Sequence, residues 1–113
     1  GVYRIKADFG ATQTQKALHV ADVSVPSIPN GLLTGGDISP DGQRVILCDY
    51  AQAYEFALPA EAQNFDDVWK TPPVSVELGK RENGEAVCYI VDGSSIFATS
   101  ERKNSPVIEV KRK

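Results

Sequence analysis

Short runs of apolar residues, separated by turns that contain glycine or proline, make up most of this chain. Residues 74–78 alternate between apolar and polar side chains, and residues 45–48 form an unbroken apolar run. Nine glycines and seven prolines interrupt these runs. Frequent turn residues between short β-prone segments are typical of an all-β fold. The pattern predicts nine strands, at residues 2–7, 17–25, 34–39, 44–49, 53–57, 73–79, 85–91, 95–100 and 107–111.

Two turns have strong sequence signals. Residues 39–42 (Ser-Pro-Asp-Gly) place proline at the second turn position and glycine where a positive φ is often needed. The Asp-Gly pair at residues 92–93 predicts a similar turn. The proline-rich connection at residues 26–31 is incompatible with a helix or an inner strand.

The chain contains an internal repeat. The Asp-Gly pair at residues 41–42 recurs at 92–93, and the strand-like residues 2–5 recur at 53–56, in both cases 51 residues later. A third copy of the second element, at residues 107–110, follows after 54 residues. A period of about 50 residues, built from four short strands, predicts the radially stacked sheets, or blades, of a β-propeller.

The predicted second strands of the blades have no polar break. Residues 45–48 and 96–98 are apolar throughout. A strand that neighbouring sheets cover on both faces need not alternate between apolar and polar side chains. We therefore expect both runs to be buried on both faces.

Residues 59–70 have no strand character and predict a short helical insertion. Asn64 is a suitable N-cap residue, with acidic residues following in the first turn and a lysine in the last. Phe65, Val68 and Trp69 fall on one helical face. Either Trp69 holds this helix against the sheet, or it is an exposed aromatic side chain that binds a partner.

Composition fits one ordinary globular domain. The chain has 113 residues, of which 42% are hydrophobic and 24% charged. The net charge of −3 provides no basic field for nucleic acid, and no apolar run is long enough to span a bilayer. Two cysteines are too few for a disulfide framework, and one histidine excludes a paired-histidine metal site within one chain. Because the chain lacks methionine and has strand-like residues at both ends, we expect it to be a fragment of a longer protein.

Two segments resemble known propeller families. Residues 35–45 resemble the hairpin between the first two strands of a blade in bacterial TolB-like and WD-repeat-like propellers. Residues 84–93, with Thr-Ser-Glu at 99–101, resemble a blade of phytase-like and related esterase-like propeller proteins. Val91 departs from this pattern, because the family usually has proline there. The resemblance slightly favours a periplasmic or secreted location.

The resemblance implies one partial propeller domain over residues 1–113. It would be all-β, with about two four-stranded antiparallel blades, extra strands and one short helical insertion. The end of one blade would lie at 1–25, a full blade at 34–79 and most of the next at 85–113. A propeller needs about four blades or more, so apolar sheet faces and strand edges would remain open. We expect the remainder of a longer chain, or self-association through the blade faces, to cover them.

Acidic residues around the channel hold calcium in the phytase-like propellers that the chain resembles. On this resemblance Glu85 and Glu101 are the first candidates for metal ligands, and Asp37 and Asp49 are weaker ones. Calcium is a hard cation that binds several oxygen ligands, and no other cofactor is predicted. The structural alternative is that aspartates beside the turn, such as Asp37 and Asp41, bind backbone amides. One chain supplies too few ligands for a complete calcium cage.

The sequence contains no complete catalytic set. His19 lies in a predicted strand and is interpreted as a surface histidine. Cys48 and Cys88 fall within apolar runs and predict buried, unreactive thiols, with a disulfide or a reactive thiol as alternatives. The pair at residues 35–36 (Gly-Gly) opens a strand and is not a phosphate-binding loop. The basic tail at 111–113 is balanced by nearby glutamates and predicts a solvated surface.

The leading functional hypothesis is a non-catalytic segment of a β-propeller that serves as a binding or scaffolding module. The repeat and the lack of a catalytic set motivate it. The alternative is part of a phytase-like or esterase-like hydrolase with a calcium-assisted channel site that includes Glu85. A protein partner fits the first hypothesis, whereas nucleic acid fits neither.

Overall fold

The computed structural model describes residues 1–26 and 32–112, which form an all-β fold, as predicted. Most of the proline-rich connection at 26–31 and the last residue of the basic tail lie outside the described residues. Within the described ranges, no helix combines the length and apolar character needed to cross a membrane. The strands are β1 (Val2–Arg4), β2 (Leu18–Ala21), β3 (Gly35–Ile38), β4 (Arg44–Cys48), β5 (Ala53–Ala57), β6 (Val74–Val76), β7 (Gly84–Tyr89), β8 (Ser95–Ser100) and β9 (Ile108–Lys111), with a 3-10 helix at Phe65–Lys70.

These strands form three antiparallel sheets in the described part of the chain. Sheet A pairs β1 with β2, sheet B has the order β3-β4-β5-β6, and sheet C has the order β7-β8-β9. Each strand pairs with a neighbour in sequence, as antiparallel strands joined by short connections do. The predicted four-stranded unit occurs in sheet B, whereas sheets A and C have two and three strands.

The two predicted turns adopt the same conformation. Gly42 donates its amide hydrogen to Ser39 O at 2.8 Å, and Gly93 donates to Ile90 O at 2.9 Å. Both glycines have positive φ, 66° and 71° respectively. Glycine is suited to this left-handed region because it has no Cβ atom. The predicted role of both Asp-Gly pairs is therefore confirmed.

The strand register repeats too, and it defines equivalent faces on sheets B and C. In sheet B, face 1 is the face that contacts sheet C, and face 2 is the opposite face. Equivalent positions lie 51 residues apart in the first two strands and 54 apart in the third, and the pairing of β4 with β5 matches that of β8 with β9. Face 1 contains Gly35, Asp37, Ile46, Cys48, Ala53 and Glu55 in sheet B, and Ala86, Cys88, Phe97, Thr99, Val107 and Glu109 in sheet C. Face 2 contains Gly36, Ile38, Val45, Leu47, Tyr54 and Phe56 in sheet B, and Val87, Tyr89, Ile96, Ala98, Ile108 and Val110 in sheet C.

The first core lies between face 1 of sheet B and face 2 of sheet C. Ile46 and Cys48 of sheet B pack there with Ile96 and Ala98 of sheet C, and all four are buried. Leu78, which follows β6, is buried in the same cluster. Strand β7 lies against β3 and β4, so the first strands of each sheet bring the two sheets together.

A second core covers the other side of sheet B. Tyr54 and Phe56 of face 2 pack with Val68 of the 3-10 helix, and the Trp69 ring meets Phe56 edge-on at 5.3 Å. The helix is shorter than the predicted 59–70, but it begins with the expected N-cap at Asn64. Trp69 therefore packs this helix against the sheet, which was the first of the two predicted alternatives.

The two apolar middle strands differ in how they are covered. Val45 and Ile46 point to opposite faces of β4 and both are buried, which confirms the expectation for them and for Cys48, whereas Leu47 is only partly buried. In β8, Ile96 is buried but Phe97 is 38% exposed. The expectation of burial on both faces is therefore wrong for residues 96–98, because no described segment packs over face 1 of sheet C.

Gly35 allows sheets B and C to approach closely. A Cβ atom at this position would lie 2.9 Å from Glu85 O and 3.3 Å from Ala86 Cα. Both atoms belong to the main chain of β7, which cannot rotate away as a side chain can. A larger residue here would therefore push the two sheets apart.

We predict that Gly35→Ala lowers the free energy of unfolding by about 1–3 kcal/mol, the usual cost of overpacking a tight contact. Urea denaturation measures this change. Gly10→Ala is the matched control, because the nearest atom to its added Cβ would be Asp8 Oδ1 at 3.7 Å, an ordinary contact distance. Equal effects of the two substitutions would show that the close approach at Gly35 is not a structural constraint.

Candidate binding face

Asp37, one of the predicted metal ligands, lies where sheets B and C meet. Its Oδ2 atom accepts a hydrogen bond from the backbone amide of Tyr89 at 2.9 Å. Its Oδ1 atom accepts one from the amide of Ile38 at 2.8 Å. Both carboxylate oxygens thus bind main-chain amides, in agreement with the structural alternative. The bond to Tyr89 connects one sheet to the next.

Glu55 is the centre of a second polar connection between the sheets. The Tyr89 hydroxyl donates to Glu55 Oε1 at 2.8 Å, Arg112 Nε lies 3.3 Å from the same oxygen, and Arg44 Nε lies 3.8 Å from it. Arg112, from the predicted basic tail, therefore binds Glu55 and not the glutamates nearest to it in sequence. Burial, and then the hydrogen bond to Glu55, raise the pKa of Tyr89 above its ordinary value.

Asp49 is buried in the turn between β4 and β5. Its Oδ1 atom accepts hydrogen bonds from the amides of Ala51 and Gln52, both at 2.8 Å, and its Oδ2 atom accepts one from the Tyr54 hydroxyl at 2.8 Å. Burial alone would raise the pKa of Asp49, but these hydrogen bonds outweigh it and lower the pKa below the ordinary 3.8. The Asp49 carboxylate therefore organises the turn and the buried Tyr54.

The two leading metal candidates lie near the end of sheet C. Glu85 is half-buried in β7, where the pairing register shifts between Gly84 and Ala86, and Glu101 is exposed directly after β8. Across the described ranges, no three His, Cys, Asp or Glu side chains come together in a group that could hold a metal ion. Glu85, Glu101 and Asp37 do not form such a group, so the calcium site stays a prediction.

The two thiols lie in different environments. Both cysteines are free, and Cys48 is buried as predicted. Cys88 is exposed on face 1 of sheet C, so the prediction of a buried thiol there is wrong. The error has the same origin as that for Phe97, because no described segment packs over this face of sheet C. His19 lies on the exposed side of β2, with Nε2 3.1 Å from Asp22 Oδ1, as expected for a surface histidine.

Face 1 of sheet C is an exposed apolar surface. Ala86, Cys88, Phe97, Thr99 and Val107 line a groove across it. Phe97 is 38% exposed and Val107 is 68% exposed. Among the described residues that line the groove, none carries a charge. A contiguous apolar surface of this kind is typical of a site where another molecule or segment binds.

The equivalent surface of sheet B is covered within this chain. Phe97 corresponds to Ile46, and Cys88 corresponds to Asp37, both of which contact sheet C. Sequence reasoning found the repeat but missed this exposed apolar face. The 51-residue offset was the available signal, because shifting the positions of sheet B that contact sheet C by one repeat identifies Cys88 and Phe97.

Comparison with protein-family models, with curated proteins and with solved structures found no match for this chain. The interpretation of the exposed face therefore depends on the geometry of the chain itself. Because the internal repeat relates the two sheets, sheet B serves as the reference for sheet C.

We predict that Tyr89→Phe reduces the loss of stability at alkaline pH. The pKa of the Tyr89 hydroxyl is near the ordinary 10.0 in the unfolded chain and higher in the folded chain. The unfolded chain therefore releases the phenolic proton at a lower pH than the folded chain. The stability that this proton provides is complete below about pH 10 and is lost as the pH rises further. Denaturation at about pH 9 and about pH 11 measures the difference.

Tyr3→Phe is the control for this experiment, because Tyr3 is 64% exposed. Tyr54 also has a pKa raised by burial, so the variant at residue 89 should keep part of the alkaline loss. An alkaline loss in Tyr89→Phe as large as that of the unsubstituted chain would contradict the assignment.

Proposed function

We propose that the chain is a non-catalytic binding or scaffolding module and that face 1 of sheet C is its binding surface. The exposed apolar groove around Phe97 is the observation that carries this proposal. Its occupant is a further β-sheet, since the equivalent face of sheet B already binds a sheet. A sheet bound there would add one more layer to the stack formed by sheets B and C.

The chemistry of the groove supports association. Apolar surface removed from water contributes about 25 cal/mol per Å², and packed sheets lie about 10 Å apart face to face. No charged side chain lines the groove among the described residues, but the exposed Glu109 is paired with Phe97 on the same face, so a partner must leave its carboxylate in water or provide it with a hydrogen bond. Cys88 and Thr99 are small, and Phe97 and Val107 are the exposed large apolar side chains of the groove.

We also propose that the sheets belong to a β-propeller-like stack. Two findings support this. Residues 35–45 resemble the blade hairpin of bacterial TolB-like and WD-repeat-like propellers. Sheets B and C share turn geometry and pairing register, as successive units of a repeat do.

The hydrolase alternative makes a separate prediction about calcium. If the chain is a binding module, calcium should leave the melting temperature unchanged, both for the unsubstituted chain and for Glu85→Gln. Thermal unfolding with calcium and with magnesium tests this, and a model phosphate ester and carboxylic ester test for turnover. A calcium-specific rise in melting temperature that Glu85→Gln abolishes would favour the hydrolase instead.

The binding surface itself is tested with an apolar fluorescent dye. At a dilution at which the chain sediments as a monomer, anilinonaphthalene sulfonate should bind to the unsubstituted chain, and Phe97→Glu should reduce its fluorescence by about half or more. Val91→Glu is the control, because Val91 is 95% exposed but lies in the turn after β7. Equal dye binding by all three proteins would remove the support for this face.

A further inference from the structure

We propose that the outer edge of β9 is a strand-addition site, which binds an extended segment of a partner protein as a fourth strand of sheet C. The segment runs antiparallel to β9, and its side chains follow the order acidic, apolar, basic, apolar. This inference goes beyond the proposed function, because it concerns the edge of sheet C and not face 1. It follows from the internal repeat and from the groove beside β9.

Sheet B shows how a fourth strand binds. Strand β6 pairs antiparallel with β5, with Val74 opposite Glu55 and Val76 opposite Ala53. Strand β9 is the repeat equivalent of β5, but within the described ranges it pairs only with β8. Sheet C therefore has a free edge at the position that β6 occupies in sheet B. Such an edge presents N–H and C=O groups that can pair with another extended segment.

The hydrogen-bond pattern identifies the backbone groups at this edge. Arg112, the residue after β9, donates its amide hydrogen to Ser94 O at 3.0 Å. Hydrogen-bonded and non-hydrogen-bonded pairs alternate along antiparallel strands, so the N–H and C=O groups of Glu109 and Lys111 point away from β8. These are the groups that an added strand would bond. Glu55, the repeat equivalent of Glu109, pairs with β6 in this way.

A groove between β9 and β6 runs along the same edge. Val110 and Ile96 line it from sheet C, and Val74 and Val76 line it from sheet B. Val74 is 68% exposed although it lies on face 1 of sheet B, because no described strand of sheet C reaches far enough to cover it. An added strand beside β9 would cover Val74 and complete the contact between the two sheets.

The side chains of an added strand would alternate between two environments. Those opposite Ile108 and Val110 would point into the groove, where apolar side chains would pack against Val74. Those opposite Glu109 and Lys111 would lie on the exposed side of the sheet. Opposite charges are favourable across a strand pair, so a basic residue should face Glu109 and an acidic residue Lys111. Because the strands are antiparallel, the order along the segment is acidic, apolar, basic, apolar.

The other charged groups of the groove are compatible with this segment. Arg112 lies with Nε 3.3 Å from Glu55 Oε1, so its charge is already paired within the chain. Glu77 also lines the groove, but it is exposed and its carboxylate can stay in water. Lys111 is therefore the cation that the acidic residue of the segment would meet.

A separate extended segment fits this edge better than a second copy of the chain. In a second copy, sheet B already packs against the face of sheet C that carries Val110. Pairing the two β9 edges would therefore bring the sheet B of one copy against the β6 of the other. A segment with both faces uncovered avoids this collision.

A blocked fluorescent peptide containing Glu-Val-Lys-Val tests the site, with Lys-Val-Glu-Val as its charge-reversed control. The first peptide should bind about 10-fold more tightly, because two favourable cross-strand charge pairs replace two unfavourable ones. The variant Glu109→Lys/Lys111→Glu should reverse this preference. Fluorescence anisotropy measures the affinities.

N-methylated peptides test strand pairing without any change to the protein. Methylation of the lysine nitrogen removes an N–H that points toward β9 and should weaken binding by about 10-fold or more. Methylation of the valine that follows removes an N–H that points away from β9, and it should leave the affinity within about 2-fold. The two peptides have the same composition, so each is the control for the other.

A substitution on the opposite wall tests the groove. Val74→Glu places a carboxylate where the apolar side chains of the peptide would pack, and it should weaken binding by about 10-fold or more. Val91→Glu is the matched control, because Val91 is 95% exposed but lies in the turn after β7. It should bind the peptide like the unsubstituted chain.

Four results would overturn the inference. They are equal affinity for the two charge patterns, equal effects of the two methyl groups, unchanged affinity in Val74→Glu, and self-association of the chain that Val74→Glu abolishes, which would make a second copy the occupant. The dye experiment on Phe97 reports on face 1 alone. The edge site and the proposed binding face can therefore fail independently.

Discussion

The close contact between β3 and β7 is the constraint on which the rest of this fold depends. Gly35 has no side chain, and a Cβ atom there would lie only 2.9 Å from Glu85 O. On the same strand, Asp37 accepts a hydrogen bond from the backbone amide of Tyr89. A main-chain amide can be satisfied in this way only if the two strands are close, so the glycine and the aspartate act together. The packing of Ile46 against Ile96 follows from the spacing that they set.

This contact makes the two faces of a sheet unequal. Sheet B has a face that carries Asp37 and Glu55, which accept hydrogen bonds, and an opposite face with none of these groups. In sheet C, Tyr89 donates hydrogen bonds to both acceptors. Its backbone amide donates to Asp37, and its hydroxyl donates to Glu55. A repeat with unequal faces can stack in one direction only. It must therefore leave one face of each kind exposed at the ends of any open stack.

Local sequence was sufficient to predict the strands, because turns and apolar runs are properties of neighbouring residues. The Asp-Gly turns, the N-cap at Asn64 and the order of nine strands all follow from such signals. Whether a face is covered depends on segments distant in the chain. Phe97 and Ile46 occupy equivalent positions in equally apolar runs, yet within residues 1–26 and 32–112 only Ile46 has a sheet packed over it. For the same reason, local sequence alone does not reveal the exposure of Cys88, nor the hydrogen bond that the Tyr89 amide of sheet C donates to Asp37 of sheet B.

The difference between Asp37 and Cys88 distinguishes the contact between sheets B and C from the exposed face of sheet C. Within the chain, the Asp37 carboxylate bonds to an amide on a covalently connected sheet, so both groups are satisfied whenever the chain is folded. A carboxylate at the equivalent position of sheet C would need such a partner in every associated state and would be desolvated whenever the partner was imperfectly placed. Cys88 avoids this requirement because a thiol packs as a small apolar group. The repeat thus combines a polar, specific contact inside the chain with an apolar groove around Cys88 and Phe97 on face 1 of sheet C.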